Sequence, residues 1–341
     1  MVESPSALMG TRLLTRVPRH HRDCPQHGIA GTAESASVEA THVLWSAVTG
    51  RTSEVCLTGQ VKHQLAVLGA GVMGVAITTM AVGHGVPVVL VEIDDAKRDR
   101  APRQVAQQLR MAQLLGGLDR ETAPGALTAT ASIEDARGAT AAIETIAELA
   151  EVKAKALAEV SAVVAPGTLL ATNTSSIPID ELADAVVRPE DLVGTHFMNP
   201  PYLIPTVEVV RGPRSGEAAL RSASLLLGSL GRQAVVVGDG PGFVSSRILH
   251  RMINDAVRVV EEGRASVEAV DALMQGCGHR IGPLRTADLI GLDNLADSLR
   301  ALHSRTGDET FRPSELLLRK VREGHHGRKT GRGFYEYLEA L

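Results

Sequence analysis

His196 and Glu208 stand twelve positions apart, in apolar runs that read as strands over 192–197 and 206–210. A carboxylate inside an apolar strand is costly to bury without a partner, and the imidazole is the partner at hand. Such a pair fixes the imidazole tautomer, raises its basicity and stabilises the imidazolium formed when it takes a proton. That is the equipment for removing the hydroxyl proton of an alcohol while its hydride leaves for an acceptor. Ser175, in Asn173-Thr174-Ser175-Ser176, and Asn199, in His196-Phe197-Met198-Asn199-Pro200, follow the ends of two strands, where ligands collect in open α/β sheets. Both can hydrogen-bond the reacting oxygen. The competing readings are a core histidine on a backbone carbonyl, a strand-end turn asparagine, and Ser175 as N-cap of a helix over 179–185. Each competes singly; together, after a dinucleotide signature, they lose.

That signature is Gly69-Ala70-Gly71-Val72-Met73-Gly74, placed after an apolar strand at 65–68 and opening a helix over 72–84. The first glycine permits the tight turn, the second lets a pyrophosphate approach the backbone, and the third lets helix pack on strand. Val72 and Met73 complete the loop whose free N–H groups and positive helix end meet the phosphates. Glu92 ends the next strand, eighteen positions after Gly74. Its carboxylate can accept from the adenosine ribose hydroxyls and would repel a 2′-phosphate, which favours NAD over NADP as the cofactor. Asp94 and Asp95 add negative charge or simply cap the following helix.

Strands are expected over 65–68, 87–91, 127–129, 141–144, 168–172, 192–197, 206–210 and 234–237, and helices over 72–84, 95–115 and 148–164. Their alternation predicts a doubly wound, mostly parallel sheet of α/β class, a Rossmann domain spanning 61–240. After Gly238-Asp239-Gly240-Pro241-Gly242 the strand signals stop. Helices over 243–262, 266–275, 284–301 and 313–323 predict an all-α C-terminal domain, 241–341. With 44% hydrophobic but only 2% aromatic residues, the core must be built from aliphatic side chains.

Other classes fall away. A net charge of −4 gives no basic field for nucleic acid, and no apolar run approaches the roughly 20 residues of a membrane span. Cys24, Cys56 and Cys277 are odd in number and far apart, as expected of a cytoplasmic chain without disulfides. Residues 1–60 lack apolar periodicity and are expected to be a disordered tail or upstream sequence from a misassigned start, with Val61 as an alternative initiator. His20, His21, Cys24 and His27 could be read as a metal site, but clustered histidines in a polar tail are usually solvated; no metal is expected.

From residue 65 to residue 337 the chain resembles the L-3-hydroxyacyl-CoA dehydrogenase family. The resemblance rests on GAGVMG at 69–74, IETIAELAEVK at 143–153, TNTSS at 172–176, HFMNP at 196–200, VEVV at 207–210, PGFVSSR at 241–247, GPLRTADLIGLD at 282–293 and GRKTGRGFYEY at 327–337. It implies His196 as catalytic base, Glu208 as its orienting partner, and Ser175 and Asn199 at the substrate oxygens. It also implies Glu148 and Lys153 against NAD (a helix-surface lysine being the plainer alternative), and a helical domain that forms a homodimer and helps close the site. The closing GRKTGRGFYEY is read as structural packing. Two departures bear on the substrate. Ser246 stands where the family usually has asparagine. The region after Glu92 looks shorter and poorer in lysine than the arm that grips coenzyme A, leaving Arg98, Arg100, Arg103 and Arg110. Both point to a thioester carried on coenzyme A or on an acyl carrier protein, as in the polyketide extender-unit branch, which the segment 282–293 resembles. The alternatives are a dehydrogenase of a free hydroxy or sugar acid of gulonate type, with Arg247 or Arg285 facing a carboxylate, and a dinucleotide-binding structural or sensor protein.

Overall fold

The computed structural model describes residues 63–338. The tail, its candidate metal cluster at His20, His21, Cys24 and His27, and Cys56 lie outside the described residues.

Eight short strands form one sheet: β1 (Leu65–Leu68), β2 (Val88–Val91), β3 (Leu127–Thr130), β4 (Ala141–Glu144), β5 (Leu169–Thr172), β6 (Leu192–His196), β7 (Thr206–Arg211) and β8 (Gln233–Gly238). Their spatial order is β3-β2-β1-β4-β5-β6-β7-β8. The first six are parallel; β7 runs antiparallel to β6, and β8 parallel to β7. The central strands are continuous apolar runs because both faces are covered. Leu65, Val67, Leu90 and Ile143 pack on one side with helices α1 (Val72–Gly83), α2 (Asp95–Leu114) and, further along, α5 (Glu217–Ser229). Ala66, Leu68, Val89 and Ala142 pack on the other with α3 (Ala150–Val163) and α4 (Ile179–Ala183). Winding reverses between β1 and β4, which leaves a crevice at their carboxyl ends, the usual ligand position in such sheets.

Beyond β8 come α6 (Ser245–Glu261), α7 (Val267–Gly276), α8 (Pro283–Ile290), α9 (Leu292–Thr306) and α10 (Glu315–Arg322), around a separate core that includes Ile253, Leu284, Leu299 and Phe311. The single helix expected over 284–301 is in fact two. Gly291 adopts φ +97°, outside the right-handed helical region, and turns the chain between α8 and α9. The apolar periodicity runs straight across this glycine, which is why the break escapes a pattern reading. The closing segment does pack on the helical domain. Asp288 accepts from the Phe334 and Tyr335 amides at 2.8 and 2.9 Å and from the Tyr337 hydroxyl at 3.0 Å.

Ser175 is not the cap of α4. Asp239, just past β8, accepts from the amides of Ile179 and Asp180, both at 3.0 Å, and so seats the start of α4 beside the link between sheet and helices. No helix among the described residues is long and apolar enough to cross a membrane.

Candidate active site and cofactor cleft

The glycine loop has the shape its spacing predicts. Gly69 sits at φ +99°, where an L side chain is strained, and a Cβ there would meet Ile146 Cγ2 at 2.8 Å. A Cβ on Gly74 would lie 1.8 Å from the Gly69 carbonyl oxygen, so only glycine lets α1 pack against the turn. Gly71, by contrast, faces open space, with nothing within 4 Å of an added Cβ. That is the clearance a pyrophosphate needs at a helix N-terminus. Glu92 is buried and accepts from the Ala70 amide at 2.8 Å and the Asp94 amide at 2.9 Å. It therefore ties the glycine loop to the end of β2 while each carboxylate oxygen keeps a lone pair free for a ribose hydroxyl. Asp94 caps α2 through the Lys97 amide at 2.9 Å. The donor set fits a dinucleotide. Exposed Val72, Ile93 and Leu149, at 69%, 84% and 60%, provide apolar surface at the mouths of these loops. Ile93 was not singled out in the sequence, although an apolar residue directly after the strand-end acid could have drawn attention.

Glu148 and Lys153 belong to one network. Lys153 is 1% exposed, which excludes the helix-surface reading. Its Nζ donates to both carboxylate oxygens of Glu144 at 2.8 and 3.1 Å and to the Ile146 carbonyl at 3.3 Å, and lies 3.3 Å from Glu148. Thr172 donates to the same Glu144 at 2.7 Å. Glu148 precedes α3, which begins at Ala150 rather than at 148. Its Oε1 accepts from the Thr174 hydroxyl at 2.6 Å and the Ser175 and Ser176 amides at 2.9 and 3.0 Å. Burial opposes its ionisation, but Lys153 and these donors outweigh burial and hold its pKa below the ordinary value. Glu148 thus fixes the loop that carries Ser175.

The His196–Glu208 pair is set by sheet register. His196 and Glu208 are direct partners across the antiparallel β6–β7 ladder, with Nδ1 2.8 Å from Oε2. Both are 7% exposed. Glu208 also accepts from the Ser245 hydroxyl at 2.5 Å and from the Ser245 and Val244 amides at 2.8 and 3.2 Å. Burial alone would raise its pKa; the bonds from His196 and Ser245 overcome burial and hold it at about 2. An anionic Glu208 keeps the proton on Nδ1 and leaves Nε2 as the basic nitrogen. Ser245 was missed in the sequence, though it lies within PGFVSSR. So was Asn173, whose side-chain oxygen accepts from the Phe197 amide at 3.0 Å and locks the end of β5 to the end of β6. The Phe243 ring lies 5.9 Å from that of His196, held by a backbone at φ +47°.

Ser175 and Asn199 follow the ends of the neighbouring strands β5 and β6. Ser175 is half-buried and Asn199 exposed. Ser246 is buried in the first turn of α6, next to the residue that holds Glu208. Among the arginines, Arg285 stacks on the Tyr335 ring with its guanidinium carbon 4.1 Å from the centroid, in the C-terminal packing. Arg98 pairs with Asp95 at 2.6 Å. Arg103 and Arg110 are exposed along α2. Arg100 and Lys97 line a cleft of about 240 Å³ together with Ala70, Gly71, Val72, Gln104 and Gln108.

Comparison with known proteins places the chain in a family. Residues 64–240 match the model of the 3-hydroxyacyl-CoA dehydrogenase NAD binding domain, and 242–337 that of the 3-hydroxyacyl-CoA dehydrogenase C-terminal domain. The chain is 38% identical over 280 residues to a probable 3-hydroxybutyryl-CoA dehydrogenase of Bacillus subtilis, covering 81% of this chain and 98% of the relative. It is 39% identical over 274 residues to a probable 3-hydroxybutyryl-CoA dehydrogenase of Deinococcus radiodurans, covering 80% and 99%. The solved (S)-3-hydroxybutyryl-CoA dehydrogenase of Ralstonia eutropha superposes with a TM-score of 0.73 at 34% identity, covering 82% of this chain and all of that one. The chain belongs to the 3-hydroxyacyl-CoA dehydrogenase family.

Proposed function

We propose that this protein oxidises the hydroxyl of a 3-hydroxyacyl thioester with NAD, using His196 as general base. The observation that carries this reading is the His196–Glu208 pair, buried at the end of β6 in the same sheet whose β1 and β2 carry the glycine loop and Glu92. NAD, when bound, supplies the acceptor for the substrate's hydride. His196 takes the hydroxyl proton on Nε2, and Glu208 stabilises the imidazolium that results. Ser175 and Asn199 hydrogen-bond the reacting oxygen and hold it toward the imidazole, Glu148 fixes the loop of Ser175, and Lys153 anchors Glu148. Gly69, Gly71, Val72, Met73 and Gly74 receive the pyrophosphate, and Glu92 the ribose. Ser246 meets the acyl group.

The carrier at the far end of the thioester is the finer question. The face of α2 toward the glycine loop offers Lys97 and Arg100, with glutamines completing the stripe. With two cations on that face, we favour a phosphopantetheine arm on an acyl carrier protein over the multiply phosphorylated end of coenzyme A. A free-acid dehydrogenase that holds its carboxylate on Arg285 is disfavoured, because Arg285 is engaged on Tyr335. A non-catalytic binding role is disfavoured by the intact His–Glu pair. We place the homodimer contact on the helical domain, where a cleft of about 670 Å³ between α6 and α7 is lined by Ile248, Met252, Leu273 and Met274; exposed Ile248 and Leu273, at 64% and 69%, would gain cover there. The spacing of three cysteines suits the cytoplasm.

Steady-state kinetics with matched 3-hydroxybutyryl thioesters of coenzyme A and of a carrier protein test the reading. The expected result is NAD reduction with both and a higher kcat/KM for the carrier-protein ester. Efficient turnover of the coenzyme A ester alone would remove the carrier preference, and no turnover of either would remove the function.

A further inference from the structure

Asn199, assigned above to the reacting oxygen, is exposed and sits in the connection 197–205 between β6 and β7. An exposed side chain takes its position from its backbone, so whatever fixes this connection fixes Asn199. Part of the fixing is local: the Leu203 and Ile204 amides both donate to the Pro200 carbonyl, at 3.1 and 3.3 Å. Part is apolar: Tyr202 is buried in the core on the α1, α2 and α5 side of the sheet. The remainder comes from elsewhere in the chain. Arg232, between α5 and β8, donates from Nη1 to the carbonyls of Pro201 and Ile204 at 3.2 and 3.1 Å. Its Nε donates to the Leu230 carbonyl at 3.1 Å, and its own amide to the Leu227 carbonyl at 2.8 Å. Those two bonds anchor it to the end of α5. The adjacent Gln233 amide extends the seam to the Pro205 carbonyl at 2.7 Å.

Arg232 is half-buried, and burial pushes its pKa down with no carboxylate to answer the charge. Withdrawing a guanidinium from water without an anion is costly, and here carbonyl oxygens alone offset the cost. A guanidinium presents its N–H groups in a rigid planar fork, so one side chain spans Leu230 and both carbonyls of the connection; the ammonium of a lysine has no such fork. We propose that Arg232 is a positioning residue for the reaction: it holds the β6–β7 connection so that Asn199 stands where it meets the reacting oxygen. This rests on the thioester dehydrogenase reading above. His196 and Glu208 flank the same connection, but they are direct partners in the ladder and bonded to each other. Loosening the connection therefore reaches Asn199 first, and a small misplacement of a group that orients the substrate is paid in rate.

The test is a double-mutant cycle between Arg232 and Asn199 on the whole chain, read by kcat with 3-hydroxybutyryl-CoA and by the dissociation constant for NAD. Arg232→Lys, which keeps the charge, and Arg232→Met, which removes every side-chain bond, are each made alone and together with Asn199→Ala. The expected kcat is lower by about threefold or more in Arg232→Lys and by about tenfold or more in Arg232→Met, with NAD binding unchanged. In the Asn199→Ala background neither substitution lowers kcat further, because the residue being positioned is gone. A merely structural role would lower kcat by the same factor with or without Asn199. Losses that multiply with that of Asn199→Ala, wild-type kcat in Asn199→Ala, or wild-type kcat in the Arg232 variants overturn the proposal and leave the dehydrogenase reading intact. If Arg232→Met fails to fold, the Arg232→Lys cycle alone decides. Absence of turnover in the wild type overturns both.

Discussion

His196 and Glu208 face each other across the β6–β7 ladder with Nδ1 2.8 Å from Oε2, and the same carboxylate is gripped from the helical domain by Ser245 at 2.5 Å. The imidazole is thus oriented by register within the sheet, and its partner is oriented by the helix that follows it. Removing any one member is expected to degrade catalysis without dissolving the fold.

Glu208→Gln keeps the shape and removes the charge. Without the anion the imidazole loses its fixed tautomer and the stabilisation of its protonated form, so kcat falls by roughly 10²-fold. The variant also titrates differently. Glu208 ionises at about 2 in the folded chain against 4.5 for the free side chain. Its bonds therefore contribute stability that is complete above the unfolded value and is lost as pH falls toward the folded one. Thermal midpoints measured between about pH 5 and about pH 3 should fall less steeply in Glu208→Gln than in the wild type. Parallel slopes would mean that the carboxylate is not held as described.

Ser245→Ala deletes one bond to Glu208 and leaves the backbone amide bonds in place. A hydrogen bond to a charged group contributes about 1.5–3 kcal/mol. A stability loss in that range, measured by urea unfolding, is expected together with a several-fold drop in kcat and little change in the KM for NAD. A change confined to the KM for NAD would show that Ser245 serves the cofactor rather than the base.

Lys153→Met strands a carboxylate that is 0% exposed, that of Glu144. Breaking such a buried pair costs roughly 3–5 kcal/mol, whereas replacing both members by apolar groups is often neutral. The single variant should therefore melt several degrees lower, and Glu144→Leu combined with Lys153→Met should recover most of the loss. Equal melting temperatures for single and double variants would contradict the pairing.

Glu92→Gln keeps an acceptor for one of the two amides that Glu92 binds, those of Ala70 and Asp94, and removes the negative charge at the end of β2. The ratio of kcat/KM for NAD over NADP should drop by about tenfold or more, chiefly through better use of NADP as repulsion of its 2′-phosphate disappears. A ratio that does not move would relocate the source of cofactor preference away from Glu92.

Most of the sheet is legible from sequence because its strands are short continuous apolar runs between turn residues, and burial on both faces demands that composition. Gly69, Gly71 and Gly74 are legible for the same kind of reason: each position excludes a side chain or leaves room for a ligand. The break at Gly291 is not, because one glycine inside an apolar period reads as tolerable until its φ is known. Lys153 was ambiguous because a lysine on a helix is usually solvated; only the β4 neighbour Glu144 explains why this one is buried. Ser245, Ser246 and His250 sit within a few residues of one another. Which of them turns toward Glu208 depends on where α6 begins, two residues later than periodicity suggests.

The central claim is that His196 removes the substrate's hydroxyl proton. It is tested most directly by initial rates of NADH formation, followed by absorbance, with 3-hydroxybutyryl-CoA and the wild type beside His196→Ala. The account predicts turnover by the wild type, a loss of roughly 10²–10⁴-fold in kcat for the variant, and an unchanged dissociation constant for NAD in both. Near-normal turnover by His196→Ala would contradict it.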